Sequence, residues 1–305
     1  MTRKIIKQSV LFVALVTACA VLILYPGAGL ALEGKDVLKV TFLNVHQGDA
    51  ELIQTPDGKV ILIDAGQSGN KYRPFDGGKD VVLPFLKKEG IKKIDMAVVT
   101  HPHDDHVGGM VSVLASNIKV DNILDSGLDY SSGGYGKYIK LIKEKKINFR
   151  IPKKGEVLDW GDRVTAQVIA PQVPLEKRMY RSPNNNSIVI RMDYGDVSFL
   201  FTGDCEQEEE REILNSGVRT KVNVLKVGHH GSETASSPPY YYHTDPEVVV
   251  ICVGKRNKFD HPHWKTEKLF RETGVDIYRT DYNGDITITT DGKTYEIITG
   301  SEEEK

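Results

Sequence analysis

Cysteine is scarce in this sequence of 305 residues, because only Cys19, Cys205 and Cys252 occur. Small secreted domains that depend on disulfides carry many more, so a framework of bridges is excluded. Cys205 and Cys252 could form one bridge, and the fold otherwise needs a hydrophobic core. The roughly 270 residues after the N-terminal segment are enough to build one.

Low-complexity tracts and an excess of basic charge are also lacking. Hydrophobic residues make up 40% and charged residues 27% of the chain, which excludes disordered and collagen-like proteins. Three of the 40 basic residues precede position 34, as does one of the 42 acidic residues, so the remainder carries a formal charge of −4. Proteins that bind nucleic acid by neutralising phosphates are more often basic, so this charge counts against strong nucleic-acid binding.

One long apolar stretch is present, at the N-terminus. Basic residues precede an uncharged run over 9–32, which predicts a signal peptide or an N-terminal membrane anchor over residues 1–33. Small residues at 29–31 favour cleavage, and about 20 apolar residues suffice to span a bilayer. Cys19 resembles a lipidated cysteine, but the apolar run continues beyond it, so we favour a cleaved signal or an anchor. Each alternative places the remainder outside the cytoplasm, secreted or anchored to the membrane.

The remainder of the chain contains no linker and no internal repeat, so residues 37–300 are interpreted as one domain. Short apolar runs alternate with amphipathic segments in both halves, which predicts an α/β protein with helices covering the sheets. Predicted strands are 37–43, 50–55, 60–63, 96–100, 188–192, 197–202, 222–227 and 248–253, with a hairpin over 157–170 and two strands around 291–292. Predicted helices are 80–89, one that starts near Gly108, 137–146, 206–215 and 265–273.

Residues of the types that bind metals follow directly after several predicted strands. In open α/β sheets, ligands bind beyond the carboxyl ends of the strands. Five such ends at one rim would bring these side chains together. The residues are Asp64, His101, Asp204, the pair His229-His230 and, after a loop, His261.

The densest group spans residues 101–106, which read His-Pro-His-Asp-Asp-His. Alternate side chains of an extended segment share a face, so His101 and His103 point to the same side. Asp105 and His106 follow as the chain bends into a helix, and they aim at a second point nearby. Two such sets suit a pair of ions about 3.5–4 Å apart, which a carboxylate such as Asp204 can bridge. Imidazole with carboxylate suits Zn²⁺, Mn²⁺ or Fe, and we expect two divalent ions, Zn²⁺ or Mn²⁺.

This group, with the threonine before it, resembles the His-x-His-x-Asp-His motif of hydrolases of the metallo-β-lactamase fold. More narrowly, the chain resembles the hydrolase domain of the DNA-uptake protein ComEC and its free-standing relatives. The resemblance implies an αββα sandwich, with two mixed sheets flanked by helices and the metals at one rim. The matching segments, in order, are 42–50, 62–66, 100–106, 184–187, 201–204, 225–232 and 261–262.

Two features depart from the resemblance. Many hydrolases of this fold have a further histidine ligand between the first cluster and the bridging aspartate, but no histidine occurs between His106 and Asp204. An asparagine run stands there instead, and we expect Asn185 or Asn186 to line the site. ComEC itself is a multi-helix membrane channel, whereas this chain has one apolar segment, so the transport role does not carry over.

Metal-assisted hydrolysis is the predicted chemistry. Asp204 would bridge the ions, and Asp64 would orient a ligand or the attacking water, although it could equally be a turn residue. His230 or His263, whichever is not a ligand, would protonate the leaving group. The candidate metal ligands are His101, His103, Asp105, His106, Asp204, His229 and His261. The candidate catalytic residues are Asp64, Asp105, Asp204 and His230.

The leading prediction is that the protein cleaves phosphodiesters, with DNA or another nucleic acid as the substrate. Lysines over 137–146 and the tyrosines 240–242 could contact nucleic acid, but a solvated helix face and core packing explain them more simply. The alternatives are an exported hydrolase of another ester, such as a phosphocholine esterase or a lactonase, and a non-catalytic binding module that retains metal. A β-lactamase is disfavoured, because the family members with that activity often have a cysteine at the position of Asp204. Cys205 is adjacent but one position out of phase. The sequence indicates no obligate protein partner, and contact with the membrane would come through an uncleaved N-terminal segment.

Overall fold

The computed structural model describes residues 36–72, 74–172 and 181–300. All the described residues belong to one compact unit. The predicted signal peptide or anchor therefore lies outside the described residues. Within the described ranges, no helix is long and apolar enough to cross a membrane.

The described residues contain fifteen strands, numbered here in chain order. They are β1 (Leu38–Phe42), β2 (Glu51–Gln54), β3 (Val60–Ile63), β4 (Lys93–Val99), β5 (Lys119–Asp125), β6 (Asn148–Arg150), β7 (Val157–Leu158), β8 (Thr165–Ala170), β9 (Val189–Tyr194), β10 (Val197–Phe201), β11 (Val224–Lys226), β12 (Val248–Ile251), β13 (Asp276–Arg279), β14 (Ile286–Thr290) and β15 (Tyr295–Thr299).

These strands form two mixed sheets. The first has eight strands in the order β15-β14-β1-β2-β3-β4-β5-β6, and β3 to β6 run parallel while the other pairs are antiparallel. The second has seven strands in the order β13-β12-β11-β10-β9-β8-β7, and β10 to β13 run parallel. Each sheet therefore has a parallel part whose carboxyl ends lie along one edge, the usual place for a ligand.

Helices cover the sheets, and two short 3₁₀ turns, Pro183–Asn186 and Gly228–Gly231, lie close to strand ends. The helices are α1 (Leu83–Lys88, preceded by a π-helical turn over Gly78–Val82), α2 (Asp104–Ala115), α3 (Gly133–Lys145), α4 (Gln207–Asn215), α5 (Pro238–Thr244), α6 (Trp264–Thr273) and α7 (Thr280–Asn283).

The two sheets pack face to face around a central core. Phe42 and Ile61 of the first sheet belong to the same buried cluster as Phe199 and Val248 of the second. A second buried cluster joins the outer face of the first sheet to α1, α2 and α3. A third joins the outer face of the second sheet to α4, α5 and α6. The αββα sandwich of two mixed sheets flanked by helices is therefore confirmed.

The helix after the histidine cluster begins four residues earlier than predicted, at Asp104 and not near Gly108. Asp104 and Asp105 occupy its first turn, where the helix dipole stabilises carboxylates. The glycines inside the helix have a packing role, because a Cβ on Gly109 would stand 2.0 Å from the carbonyl oxygen of Ala65. They let α2 approach the segment after β3 closely.

The tyrosine run at 240–242 lies on α5. Tyr240 and Tyr241 are 2% and 3% exposed and belong to the buried cluster under the second sheet. Tyr242 is exposed at the surface. Packing of the helix against the sheet therefore explains the first two tyrosines.

Candidate metal centre

The candidate residues come together where four strands end. Asp64 follows β3 directly, His101 comes two residues after β4, and Asp204 comes three residues after β10. The turn Gly228–Gly231 follows β11. Since β3 and β4 belong to the first sheet and β10 and β11 to the second, both sheets contribute to one rim.

Asp204 lies at the centre of this group, and its two oxygens face different imidazoles. Its Oδ1 is 3.2 Å from His106 Nε2 and 3.5 Å from His230 Nε2. Its Oδ2 is 3.6 Å from His101 Nε2 and 3.7 Å from His229 Nε2. A carboxylate that directs each oxygen to a separate set of ligand atoms has the arrangement needed to bridge two ions.

The residues that face Oδ1 are Asp105, His106 and His230, which we call the Oδ1 set. Their ligand atoms lie close enough together to hold one ion, and Asp105 Oδ2 is 3.4 Å from His230 Nε2. His106 Nδ1 donates to Asp64 Oδ2 at 2.8 Å, and His230 Nδ1 donates to the carbonyl oxygen of Cys252 at 2.9 Å. Because the Nδ1 atoms carry these protons, the lone pairs of both Nε2 atoms point into the site.

The residues on the other side are His101, His103 and His229, which we call the Oδ2 set. His101 Nε2 and His103 Nδ1 are 3.0 Å apart. His229 Nδ1 lies 3.1 Å from Glu206 Oε1, and its side chain is 23% exposed. His229 has φ of 45°, a left-handed conformation that few non-glycine residues adopt.

Asparagine lines the Oδ2 side of the site, but not through the residues predicted. Asn184 Nδ2 lies 3.4 Å from His229 Nδ1. Asn185 instead contacts Glu206, and Asn186 donates to the carbonyl oxygen of Ser182. The expectation for Asn185 or Asn186 was wrong, because the 3₁₀ turn directs the first asparagine of the run to the site.

Buried polar atoms test whether these residues fit a metal. His106 Nε2, His230 Nε2 and Asp204 Oδ1 are buried without a hydrogen-bond partner among the described residues. Unsatisfied buried polar atoms are rare in proteins and call for an explanation. The two imidazole nitrogens lie within 3.5 Å of Asp204 Oδ1 and, with Asp105, close enough together to hold one ion, so a cation among them would satisfy these atoms. The donor set of imidazole and carboxylate fits a divalent transition metal.

The electrostatics of the site also favour a cation. Burial lowers the pKa of His106, but the carboxylates of Asp204, Asp64 and Asp49 outweigh it and raise that pKa well above its usual value. Burial also lowers the pKa of His230, but the neighbouring carboxylates, Asp204 first among them, outweigh it and raise that pKa to about 10. The carboxylates thus draw positive charge into the site, and a metal that binds there displaces protons from these imidazoles.

Asp64 is fully buried beneath the Oδ1 set. Besides the bond from His106, its carboxylate accepts from the backbone nitrogen of Thr100 at 2.9 Å and from the Thr100 hydroxyl at 2.6 Å. It therefore fixes both the ring of His106 and the end of β4. This contact pattern is that of a residue that orients a metal ligand.

A charged pair that the sequence analysis did not single out lies beneath the same set. Lys226 and Asp49 are each 1% exposed and their side chains form an ion pair. Lys226 Nζ also donates to the carbonyl oxygen of Gly203 at 3.0 Å, and Asp49 Oδ1 is 3.3 Å from His230 Nδ1. A lysine inside an apolar strand requires a buried partner of opposite charge. The position of Lys226 in such a strand therefore predicts a buried ion pair, although not which residue is its partner.

The remaining histidines lie farther from Asp204. The His261 ring is 5.3 Å from that of His229 and 6.2 Å from that of His230, and it lines a cavity of about 280 Å³ above the site. His261, like His103 and His229, is absent from the groups of ligand atoms that the described residues bring close together, and its Nδ1 is buried without a hydrogen-bond partner among those residues. His263 Nδ1 accepts from the backbone nitrogen of Glu233.

Cys205 and Cys252 do not form the disulfide that the sequence allowed. Cys205 and Cys252 are both free and buried. Cys205 belongs to the cluster between the second sheet and its helices, whereas Cys252 belongs to the core between the sheets. The second sheet therefore separates the two sulfur atoms.

Comparison with known proteins gives consistent results. A model of the Metallo-beta-lactamase superfamily matches residues 43–291. ComE operon protein 3 of Bacillus subtilis is 32% identical over 279 residues, which cover 88% of this chain and 34% of that protein. Recombination protein 2 of Haemophilus influenzae is 30% identical over 256 residues, 83% of this chain and 29% of that protein. The chain thus spans about a third of the length of these curated relatives.

Among solved structures, the metallo-beta-lactamase fold protein YhfI from Bacillus subtilis is similar with a TM-score of 0.53. The match covers 84% of this chain and 100% of YhfI, at 12% sequence identity. At this identity the likeness concerns the fold alone.

Proposed function

The chain belongs to the metallo-β-lactamase superfamily and is a metal-dependent hydrolase, and we propose that it cleaves phosphodiesters, with single-stranded nucleic acid as its substrate. The observation that carries this proposal is the position of Asp204, whose two oxygens face two separate sets of ligand-type side chains. A pair of divalent ions suits phosphodiesters, since it stabilises both the attacking and the leaving oxygen.

In this proposal the Oδ1 set and the Oδ2 set would each hold one ion, Zn²⁺ or Mn²⁺, with Asp204 as a ligand common to both. When bound, such ions lower the pKa of a water molecule to about 7 and neutralise charge on the substrate. Asp64 keeps the proton of His106 on Nδ1, so that Nε2 stays available. His261 lines the same cavity as the other ligand-type side chains and has a buried Nδ1 without a partner among the described residues, so in this proposal it stays a candidate ligand.

The relatives support a nucleic-acid substrate. One is named for the ComE operon, another for recombination, and a third is the Competence protein ComA of Neisseria gonorrhoeae, which is 25% identical over 87% of this chain. The chain corresponds to about a third of each protein, so the transfer of a substrate from these proteins is part of the proposal.

A panel of substrates tests the proposed reaction. The full chain, loaded with Mn²⁺ or Zn²⁺, is assayed on bis-p-nitrophenyl phosphate, single-stranded DNA, p-nitrophenyl phosphate, a β-lactam, a lactone and a phosphocholine ester. We expect cleavage of the two phosphodiesters. Hydrolysis of a lactone, a lactam or a phosphocholine ester without cleavage of either phosphodiester would contradict the proposal while leaving a metal-dependent hydrolase.

We also propose that the domain is exported, because an uncharged stretch over residues 9–32 follows a basic N-terminus. Protease added to intact cells of the producing bacterium should digest the domain, whether it is secreted or anchored. Protection until the cells are lysed, with a known exported protein digested in parallel, would contradict this placement.

A further inference from the structure

A second cavity adjoins the metal centre. It has a volume of about 440 Å³ and shares Gln47, Asp104, Asp105 and Phe259 with the smaller cavity above the ligands. The two cavities are therefore neighbouring parts of one cleft. A substrate longer than one phosphodiester group can extend from the metal centre into the larger cavity.

The loop over residues 254–261 forms one wall of this cleft, and the side chain of Asn257 makes four of the hydrogen bonds that hold it. Asn257 Nδ2 donates to the carbonyl oxygens of Gly254 at 3.0 Å and His261 at 2.6 Å. Its Oδ1 accepts from the backbone nitrogens of Phe259 at 3.1 Å and His261 at 3.0 Å. The loop is thus fixed before any substrate binds, which reduces the entropic cost of binding.

This loop presents an aromatic face at the mouth of the cleft. Phe259 is 45% exposed, although large apolar side chains are usually buried. Its ring is stacked on the His261 ring at 5.6 Å with an interplanar angle of 23°, and the Lys258 ammonium lies over the Phe259 ring, 4.7 Å from its centroid. An exposed ring beside a cation is the combination that binds a nucleobase and its phosphate.

The loop also carries three basic residues beside the site. Lys255, Arg256 and Lys258 are exposed, and none forms an ion pair within the described part of the chain. One acidic residue of the same loop, Asp260, opposes them. A local basic surface thus borders the catalytic cleft even though residues 34–305 carry a net negative charge.

Gln47, which packs against the start of this loop at Gly254, supplies an amide. Gln47 lines both cavities, and its Oε1 accepts from the backbone nitrogen of Gly254 at 3.1 Å. Its Nε2 is buried and has no hydrogen-bond partner among the described residues. This donor is free to bond a ligand within the cleft.

We propose that the larger cavity binds the nucleotide next to the scissile phosphate, with its base stacked on Phe259. Lys258 contacts the phosphate of that nucleotide, and the Gln47 amide donates to an acceptor on its base or sugar. This inference rests on the proposed phosphodiesterase function and specifies its substrate as a nucleic acid strand with unpaired bases. Stacking on one ring is tolerant of sequence, so we expect little preference among bases.

An abasic substrate isolates the stacking contact. The Mn²⁺-loaded full chain is assayed on a single-stranded thymidine dodecamer and on a dodecamer in which tetrahydrofuran replaces every nucleoside. The measured quantity is the ratio of kcat/KM for the base-bearing strand to that for the abasic strand. Effects on the metals and on the phosphate contacts cancel in this ratio. We expect the wild-type ratio to exceed about ten, in line with the strength of base–aromatic stacking.

Phe259→Leu should lower this ratio about 5- to 100-fold, whereas Phe259→Trp should preserve it. Tyr242→Leu, which removes an aromatic ring of 62% exposure that lines neither cavity, should leave the ratio unchanged. Lys258→Gln should weaken kcat/KM on both strands alike and reduce the slope of log KM against log salt by about one. Since Phe259 and Lys258 are exposed, we expect all four variants to fold, and their melting curves check this.

A wild-type ratio near one, or a Phe259→Leu ratio equal to that of the wild type, would overturn the inference while cleavage of DNA still supports the proposed function. If the wild-type chain cleaves neither strand, the proposed function fails and this inference fails with it. The two failures are therefore distinguishable in one experiment.

Discussion

The two ligand sets around Asp204 differ in how firmly the protein holds them. In the Oδ1 set, His106 and His230 are at most 2% exposed, and their Nδ1 atoms donate at 2.8 and 2.9 Å to a carboxylate and a carbonyl oxygen. In the Oδ2 set, His229 is 23% exposed, and the Nδ1 of His101 lies 3.2 Å from the Thr100 hydroxyl. The imidazoles of the first set are therefore held more rigidly than His229, whereas Asp105 of the first set is 28% exposed and His101 of the second is fully buried.

No histidine lies between His106 and Asp204 in the sequence, and His229 supplies an imidazole on the Oδ2 side instead. His229 comes from the turn after β11 and reaches the Oδ2 side, where Asn184 accompanies it. Ligands that are oriented in advance lose less freedom on binding a metal. We therefore expect the ion at the Oδ1 set to bind more tightly than the ion at the Oδ2 set.

Asp204 is common to both sets, so its replacement should have the largest effect. Asp204→Asn removes a full negative charge between two cations and nearly preserves the shape of the side chain. We expect activity on bis-p-nitrophenyl phosphate to fall by more than about 100-fold, which exceeds the loss typical of residues that only orient ligands. Circular dichroism should show a folded protein. Retained activity would refute the metal assignment.

Single replacements within the two sets sharpen the comparison. His229→Ala should lower the metal content from about two ions to about one, and His230→Ala should do the same while reducing activity more. In the wild-type chain, rising chelator concentration should remove the metals in two steps. Asn184→Ala is a mild control on the Oδ2 side, and its metal content should stay near two. Equal affinities for both ions would contradict the difference in rigidity.

Asp64 acts on the Oδ1 set through His106. Asp64→Asn should reduce activity and metal affinity about 10- to 100-fold, as for other residues that orient a metal ligand. A matched control is Asp95→Asn, whose carboxylate accepts from the backbone nitrogen of Val60 at 3.0 Å in the same sheet. If the two variants have the same activity, Asp64 is a structural turn residue.

The smallest effect concerns stability away from the metals. Burial raises the pKa of Glu210 to about 7, although its carboxylate accepts from the backbone of Ser236 and Ser237. The resulting stabilisation is present below the unfolded pKa of 4.5 and is lost as the pH rises through 7. Metal-free wild-type protein should lose up to about 3 kcal/mol between pH 5 and pH 8 from this group.

Glu210→Gln should remove that part of the pH dependence, since the amide cannot ionise. Urea denaturation at both pH values measures it, and Glu272→Gln on the exposed face of α6 is the control that should retain it. A parallel pH dependence in the wild type and Glu210→Gln would show that the carboxyl titrates normally.

The sequence was sufficient for those parts of the molecule that depend on local patterns. Apolar runs predicted most strands, and the residues that end them predicted which side chains meet at the rim. β5 was missed because Asp121 and Asn122 interrupt its apolar pattern, and α2 was placed late because its glycines were interpreted as its start. Which strands pair and where a helix begins depend on tertiary contacts, which local sequence patterns do not reveal.

The partners of buried charges were the hardest to predict. Lys226 and Asp49 are 177 residues apart in the chain, and no local pattern connects them. Which of the three asparagines faces the site depends on the phase of one 3₁₀ turn. The ligand sets were easier, because their members lie within a few residues of strand ends.

The most direct test of the account is electron paramagnetic resonance of the full chain loaded with Mn²⁺. If Asp204 joins two ions about 3.5–4 Å apart, the spectrum should be that of a spin-coupled pair at about two ions per chain. Asp204→Asn should abolish the coupling. A spectrum of isolated ions in the fully loaded wild-type chain, or no bound metal at all, would contradict the central claim.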